Sequence, residues 1–339
     1  MKTARILFTI ILFPAVLGFM QSCKKDKSEP VANLPVLTTA NVSSILLNTA
    51  LSGGSITNDG GLTITARGVV WSKHDLPTTA DEKSVNGSGA GSYSSTVSGL
   101  EPGVTYYLRA YATNADGTAY GSTMIFTTIS DTFTDSRDGN LYHAIQIGDQ
   151  VWMTENLKYL PSVVGPGVES FTIPYYYVYD YTGTNVTNAK STPNYKNYGV
   201  LYNWEAARTA APDGWHLPSD QEWKTLEMAL GMSQSEADGY GSRGTNQGSA
   251  LAGNSLLWVT GNLTADSAFG SSGFNALPGG FYRAFELAFL DLSYSTYFWC
   301  SGWVDDQVGW RRTIIYNSAK IGRETVNKNI GFQVRCIRN

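Results

Sequence analysis

The chain has 339 residues, room for two or three domains, and a formal net charge of −4. Charged residues make up 15% against a usual value of about a quarter, while 35 Gly and 20 Tyr are many; the mixture suits extracellular β-rich domains better than cytosolic enzymes. No basic patch stands out, which excludes nucleic acid as an expected partner.

Lys2 and Arg5 form a positive n-region, and Ile6 to Met20 an apolar run too short and wrongly flanked to span a membrane. Met20-Gln21-Ser22-Cys23 follows and resembles a bacterial lipoprotein signal, in which Cys23 becomes the lipidated first residue. Met20 stands where such signals usually have Leu. The competing reading is an ordinary secretory signal with an incidental cysteine, and the polar tether behind Cys23 favours lipidation. Lys24 and Lys25 lack the Asp that retains some lipoproteins at the inner membrane, and Asp26 and Glu29 partly resemble surface-export signals of Bacteroidetes lipoproteins. Residues 1–22 are thus read as a signal peptide and 23–34 as a lipidated tether, with the lipid bilayer as a partner through acylation and a surface-exposed outer-membrane location expected. Beyond Cys23 only Cys300 and Cys336 remain, and in an oxidising compartment such a pair reads as one disulfide, worth about 3–4 kcal/mol in the chain-entropy model.

Residues 35–129 alternate short β-branched or aromatic runs with turn signals at Ser52-Gly53-Gly54, Asn58-Asp59-Gly60-Gly61, Asn86-Gly87 and Asp116-Gly117. From Tyr106 the alternation puts Tyr106, Leu108, Ala110 and Ala112 on one face and Tyr107, Arg109 and Tyr111 on the other, the pattern of a half-buried sandwich strand. The spacing of Leu100, Pro102 and Tyr106, then the Asn114 to Gly117 turn and Tyr120-Gly121, resembles a fibronectin type III domain. The resemblance implies a spacer or interaction module with Trp71 as a core tryptophan of the opposing sheet. His74 lies in a polar segment and is read as solvated.

Residues 130–339 form a second unit. Asp135 to Asn140 reads as a turn, lacking the spaced oxygen ligands of a calcium loop. Tyr142 to Ile147 and Gln150 to Met153 predict a hairpin around Gly148-Asp149, and Glu205 to Ala210 a short helix. Ser219 as N-cap and Glu222 three residues later predict a capping box, opening a helix whose stripe is Trp223, Leu226 and Leu230 and which ends near Gly231. Gly239 to Asn254, rich in Gly, Ser and Asn, reads as a long surface loop.

Five ordered motifs carry a further resemblance: Asp138-Gly139-Asn140 with its hairpin, Trp152 to Leu157, Tyr198 to Trp204, Gly214 to Ser219, and Gly331-Phe332-Gln333-Val334-Arg335-Cys336. Together they look like the Fibrobacter succinogenes major paralogous domain over nearly the whole second unit. More distantly, Leu217 to Trp223 is similar to a segment of formylglycine-generating-enzyme-like proteins, which implies an irregular α+β fold like that of C-type lectins. The expected fold class is therefore mixed: an all-β fibronectin-III-like sandwich over 35–129, then an α+β C-type-lectin-like domain over 130–339. Members of the paralogous family usually carry a cysteine where this chain has Ala211, and serine where it has Cys300. The resemblance thus implies a relocated bridge, Cys300–Cys336.

The formylglycine-generating reaction needs thiols to hold copper, and here the two that remain are assigned to the bridge. His143 and His216 show neither metal spacing nor a nucleophile–base pattern, so no enzyme activity, metal or cofactor is expected. The calcium-lectin signatures Glu-Pro-Asn, Gln-Pro-Asp and Trp-Asn-Asp are missing. Aromatic residues are the better candidates. A strand over Tyr175 to Tyr181 would place Tyr175, Tyr177 and Tyr179 on one face, either stacking on sugar rings or packing the domain's own core. Trp299 reads as core, whereas Trp303 and Trp310 bracket the Asp305-Asp306 loop and read as surface. The expected function is non-catalytic binding of glycan or polysaccharide at the cell surface, the alternative being a structural or protein-interaction component of a surface assembly or adhesin.

Overall fold

The computed structural model describes residues 33–339. The architecture is mostly β, and the longest helix has 10 residues. Among the described residues no helix is long and apolar enough to cross a membrane.

The first eight strands build two facing sheets. Strands β1 (Val36–Thr39), β2 (Thr49–Asn58) and β5 (Gly91–Ser98) form one. The other is β4 (Glu82–Lys83), β3 (Ala66–Ser72), β6 (Thr105–Asn114) and β7 (Gly117–Tyr120), with β8 (Met124–Thr127) beside β6. Between them lie Ala50, Val69, Trp71, Val97, Leu100, Tyr106, Leu108 and Phe126. The predicted inward face of β6 is buried; Trp71 is a core tryptophan as expected, but not of the opposing sheet, because β3 pairs directly with β6 and sets Trp71 across from Leu108. Tyr111 departs from the alternation: it is also buried, because its hydroxyl reaches the carbonyl of Ser84 at 3.0 Å. The connection after β1 docks onto the second unit, where Leu47 enters the larger core and the Asn48 amide donates to Gln146 Oε1 at 3.0 Å.

The second unit is built around strands with two buried faces. β9 (Thr132–Thr134), β10 (Leu141–Ile147) and β11 (Gln150–Met153) form the hairpin region, with the turn at Gly148-Asp149 as predicted. β12 (Tyr176–Tyr177) pairs with β13 (Leu201–Tyr202), and β14 (Trp215–His216) leads to the main helix. β15 (Gly241–Arg243), β16 (Gly279–Arg283), β17 (Ala288–Leu292), β18 (Ser295–Trp303), β19 (Val308–Ile315) and β20 (Ile321–Asn327) form a six-stranded sheet. The last strand, β21 (Ile337–Arg338), inserts between β11 and β14, so the chain's end completes a sheet that its middle began.

Strand alternation sorts the side chains into two cores. On β18, Tyr297 and Trp299 enter the first and Phe298 and Cys300 the second. On β11, Val151 and Met153 enter the first and Trp152 the second. Phe332, Val334 and Cys336 likewise belong to the first. This parity overturns the expected disulfide. Cys300 and Cys336 are both free and buried, each in a different core, Cys300 against Arg312 and Cys336 behind Met153.

Four helices matter below: α1 (Val186–Ser191), α2 (Pro193–Tyr198), α3 (Trp204–Thr209) and α4 (Asp220–Ala229). At α4 the Glu222 amide donates to Ser219 Oγ at 3.2 Å and the Ser219 amide donates to Glu222 Oε2 at 2.7 Å, the reciprocal capping box that the residues predict. Two expectations fail. The tyrosine strand is only Tyr176–Tyr177, since Asp180 turns into the left-handed region. Residues 239–254 are not a plain surface loop: they contain β15 and a helix, Gln247–Leu251, buried throughout. Gly248 permits that burial, because a Cβ there would lie 2.2 Å from the Lys320 carbonyl oxygen.

Candidate binding surface

The hairpin joining β18 to β19 carries the sequence-predicted candidates. Asp305 Oδ1 accepts from the Gln307 and Val308 amides at 2.8 and 2.9 Å, which makes it the turn's own clamp. Asp306 is exposed, and its carboxylate has no hydrogen-bond partner among the described residues. No group of three or more His, Cys, Asp and Glu side chains among the described residues is arranged to hold a metal ion.

Trp303 is 59% exposed, and its ring meets the buried Trp204 edge-on, centroids 5.6 Å apart. Trp204 sits against the hairpin because residue 309 is Gly: a Cβ there would meet the indole at 3.0 Å. Lys328, almost fully buried, completes the group. Its ammonium lies 4.3 Å from the Trp204 ring centre and 5.5 Å from that of Trp303, and donates to the carbonyls of Asp305 and Asp306. Sequence reading missed Trp204 and Lys328, since a lone lysine before Asn329 carries no local signal. Trp310 does not join this group. It packs on the second core, with the Arg323 guanidinium 4.1 Å over its ring and Tyr240 edge-on beyond. Trp303 and Trp310 therefore serve opposite faces of the sheet.

The tyrosine row is corrected. Tyr177 is fully buried, stacked on Tyr282 at 4.2 Å, with its hydroxyl donating to the Val168 carbonyl. Tyr175 and Tyr179 are half-buried against the same small cluster, Tyr179 beside Phe289. These rings fill a core because the turn at Asp180 ends the strand before a surface row can form.

The histidines are structural in their contacts. His216 places Nε2 2.8 Å from Glu222 Oε1 and Nδ1 2.6 Å from Asn339 Oδ1, tying the capping box to the chain's end. Burial alone would raise the Glu222 carboxyl; the Ser219 amide, His216 and the Ser219 hydroxyl outweigh it and hold the group below its usual range. His143 pairs with Glu155 at 2.7 Å on the surface.

The family model described as the Fibrobacter succinogenes major domain matches residues 145–338. The chain belongs to this family. No curated protein matches. Among solved structures, the chain is similar to the sensor domain of the anti-sigma factor RsgI4 of Pseudobacteroides cellulosolvens, at 17% identity over 32% of this chain and 85% of that one, TM-score 0.23. It is also similar to the third fibronectin III domain of human KIAA0343 protein, at 16% identity over 32% and 93%, TM-score 0.23.

The motifs shared with the Fibrobacter succinogenes major domain act as scaffold. Asn203 caps α3 by accepting from the Ala206 amide at 3.1 Å, and its Nδ2 donates to the Ser170 and Ile173 carbonyls, anchoring that loop. Trp299 Nε1 donates to the Tyr202 carbonyl at 2.7 Å and Trp204 Nε1 to the Cys300 carbonyl at 3.0 Å. Gln333 accepts from the Tyr297 amide and donates to the Gly280 carbonyl, stitching β16 to β18. Arg335 joins Asn156 at 2.7 Å, and Asn156 in turn holds the Tyr198 carbonyl.

Proposed function

We propose that the protein is a non-catalytic lipoprotein of the outer membrane, anchored through Cys23, whose family domain binds cell-surface or extracellular glycan. Cys23 lies outside the described residues. On this reading residues 35–129 are a fibronectin-III-like spacer, supported by the two facing sheets, and residues 130–339 a C-type-lectin-like domain, supported by the irregular loops between short elements. The observation that carries the binding reading is Trp303: a 59% exposed indole held edge-on by Trp204 and flanked by an ammonium on a hairpin tip. An apolar ring face beside polar loop groups suits stacking on a sugar ring. The test is retention of the mature chain on a panel of insoluble polysaccharides and a glycan array, with Trp303→Ala alongside; the wild type is retained and the variant released.

A protein partner is the second reading, favoured by Phe285, 91% exposed at the turn between β16 and β17, and by Leu287 beside it at 53%. Crosslinking on intact cells that captures one defined surface protein, with no glycan retained, selects it. Protease added to intact cells tests the location: removal of the family domain is expected if it faces outward.

A further inference from the structure

A cleft of about 250 Å³ opens on the family domain between residues 154–158, the end of α2, and the turns at 254–257 and 275–277. Lys158, Lys196 and Arg335 line it, with Glu155 as its one carboxylate. Glu155 is already committed: Oε1 lies 2.7 Å from His143 Nδ1, and Oε2 accepts from the His143 amide at 2.9 Å and the Thr154 hydroxyl at 3.2 Å. The cations outnumber the acids in a chain that is acidic as a whole.

Arg335 is the unusual member. It is 0% exposed, yet no carboxylate pairs with it among the described residues. Its acceptors are neutral: Asn156 Oδ1 and the carbonyls of Met153, Phe274 and Asn275. Its Nε–H has no partner among the described residues. The rings of Phe274 and Phe298 flank the guanidinium at 4.5 and 5.5 Å. Burial pushes the group down to about 9, opposed by the charge of Glu155. The same fold treats its other fully buried arginine differently, giving Arg312 both Glu227 at 2.7 Å and Asp220 at 2.8 Å. A buried cation with no paired carboxylate is costly, and it is expected where an anion binds close by. In the same lining, the Lys196 ammonium has no partner among the described residues, and the Lys158 ammonium reaches only the Lys196 carbonyl at 3.0 Å. The exposed amides of Asn197 and Asn254 at the rim suit hydroxyl groups.

We infer that this cleft binds a small hydroxylated carboxylate of the sugar-acid class, its carboxylate received by the ammonium groups of Lys158 and Lys196 and favoured by the unpaired charge of the buried Arg335 in the cleft's lining. The site shares no residue with the Trp303 surface and stands without it. Calorimetric titration of the mature chain at low salt and neutral pH, with galacturonate, galactose and inorganic phosphate as separate arms, tests it. Galacturonate is expected to bind saturably and galactose not at all, and Lys158→Ala with Lys196→Ala, both on the surface, should weaken binding about tenfold. Phosphate binding with the same lysine dependence supports the anion site and assigns its occupant to inorganic anions. The inference is overturned if neither anion binds, if galactose binds as well as galacturonate, or if the lysine substitutions leave affinity unchanged. Trp303→Ala must leave galacturonate binding intact, which separates this site from the glycan surface.

Discussion

Glu227→Gln is the substitution that tests the packing account most sharply. Glu227 is fully buried on α4, where its oxygens accept from Arg243 at 2.6 Å and Arg312 at 2.7 Å. Arg312 also holds Asp220, and Asp220 in turn receives two hydrogen bonds from Arg323 at 2.8 Å. The amide preserves size but removes the charge and turns one acceptor into a donor facing a guanidinium. Arg243, already carrying an unpartnered Nε, is left with no carboxylate. Removing one partner of a buried ion pair costs about 3–5 kcal/mol, and because Arg312 keeps Asp220 the loss should sit near the lower end, about 3 kcal/mol. Urea unfolding followed by tryptophan fluorescence measures it, since Trp223 lies beside Arg312. Asp238→Asn removes an exposed partner of Lys224 and serves as control, with a far smaller change expected. A Glu227→Gln loss no larger than the control's would refute the reasoning.

Acid should weaken the fold through Asp220. Burial alone would raise this carboxyl, but Arg323 and Arg312 outweigh burial and hold it at about 2 against an ordinary 3.8. Its contribution, about 2 kcal/mol, is present above the ordinary value and is lost as pH falls through about 2, so Asp220→Asn should flatten that part of a stability–pH curve. Cys300 and Cys336, both pushed up to about 12 by burial, should resist thiol reagents in the native state and both react after unfolding without reductant; blocked thiols in the unfolded chain would restore the bridge. Ala211 packs on the core that contains Cys336, so Ala211→Cys is expected to form a disulfide with it, seen by non-reducing peptide mapping, and to stabilise by about 3–5 kcal/mol. Three free thiols in the family domain of that variant after oxidation, Cys300 and Cys336 among them, would contradict the placement.

Local signals were legible where one short-range rule decides the structure. The capping box at Ser219 and Glu222, the Gly148-Asp149 turn and the inward face of β6 follow from backbone satisfaction and alternation alone. What was hidden depends on partners distant in the chain. Glu227 falls on the helix face of Asp220 and Trp223, where a carboxylate reads as a break in the stripe; only Arg243 and Arg312 make its burial tolerable. Tyr177 looked available because its stacking partner Tyr282 lies over a hundred residues away. The cysteine pairing failed because two strand residues can be near in fold yet belong to opposite faces. Gln247–Leu251, mostly small or polar, gives no periodic apolar pattern, and its burial rests on a close backbone approach at Gly248. Of the candidate surface, Trp303 was legible and its supports, Trp204 and Lys328, were not.

The central claim is glycan binding at the hairpin of Trp303. Polysaccharide retention of the mature wild-type chain beside Trp303→Ala, with unfolding curves confirming that both are folded, addresses it directly. The account predicts that at least one polysaccharide retains the wild type and releases the variant. Equal retention of both chains, or retention of neither by any polysaccharide or arrayed glycan, would contradict it.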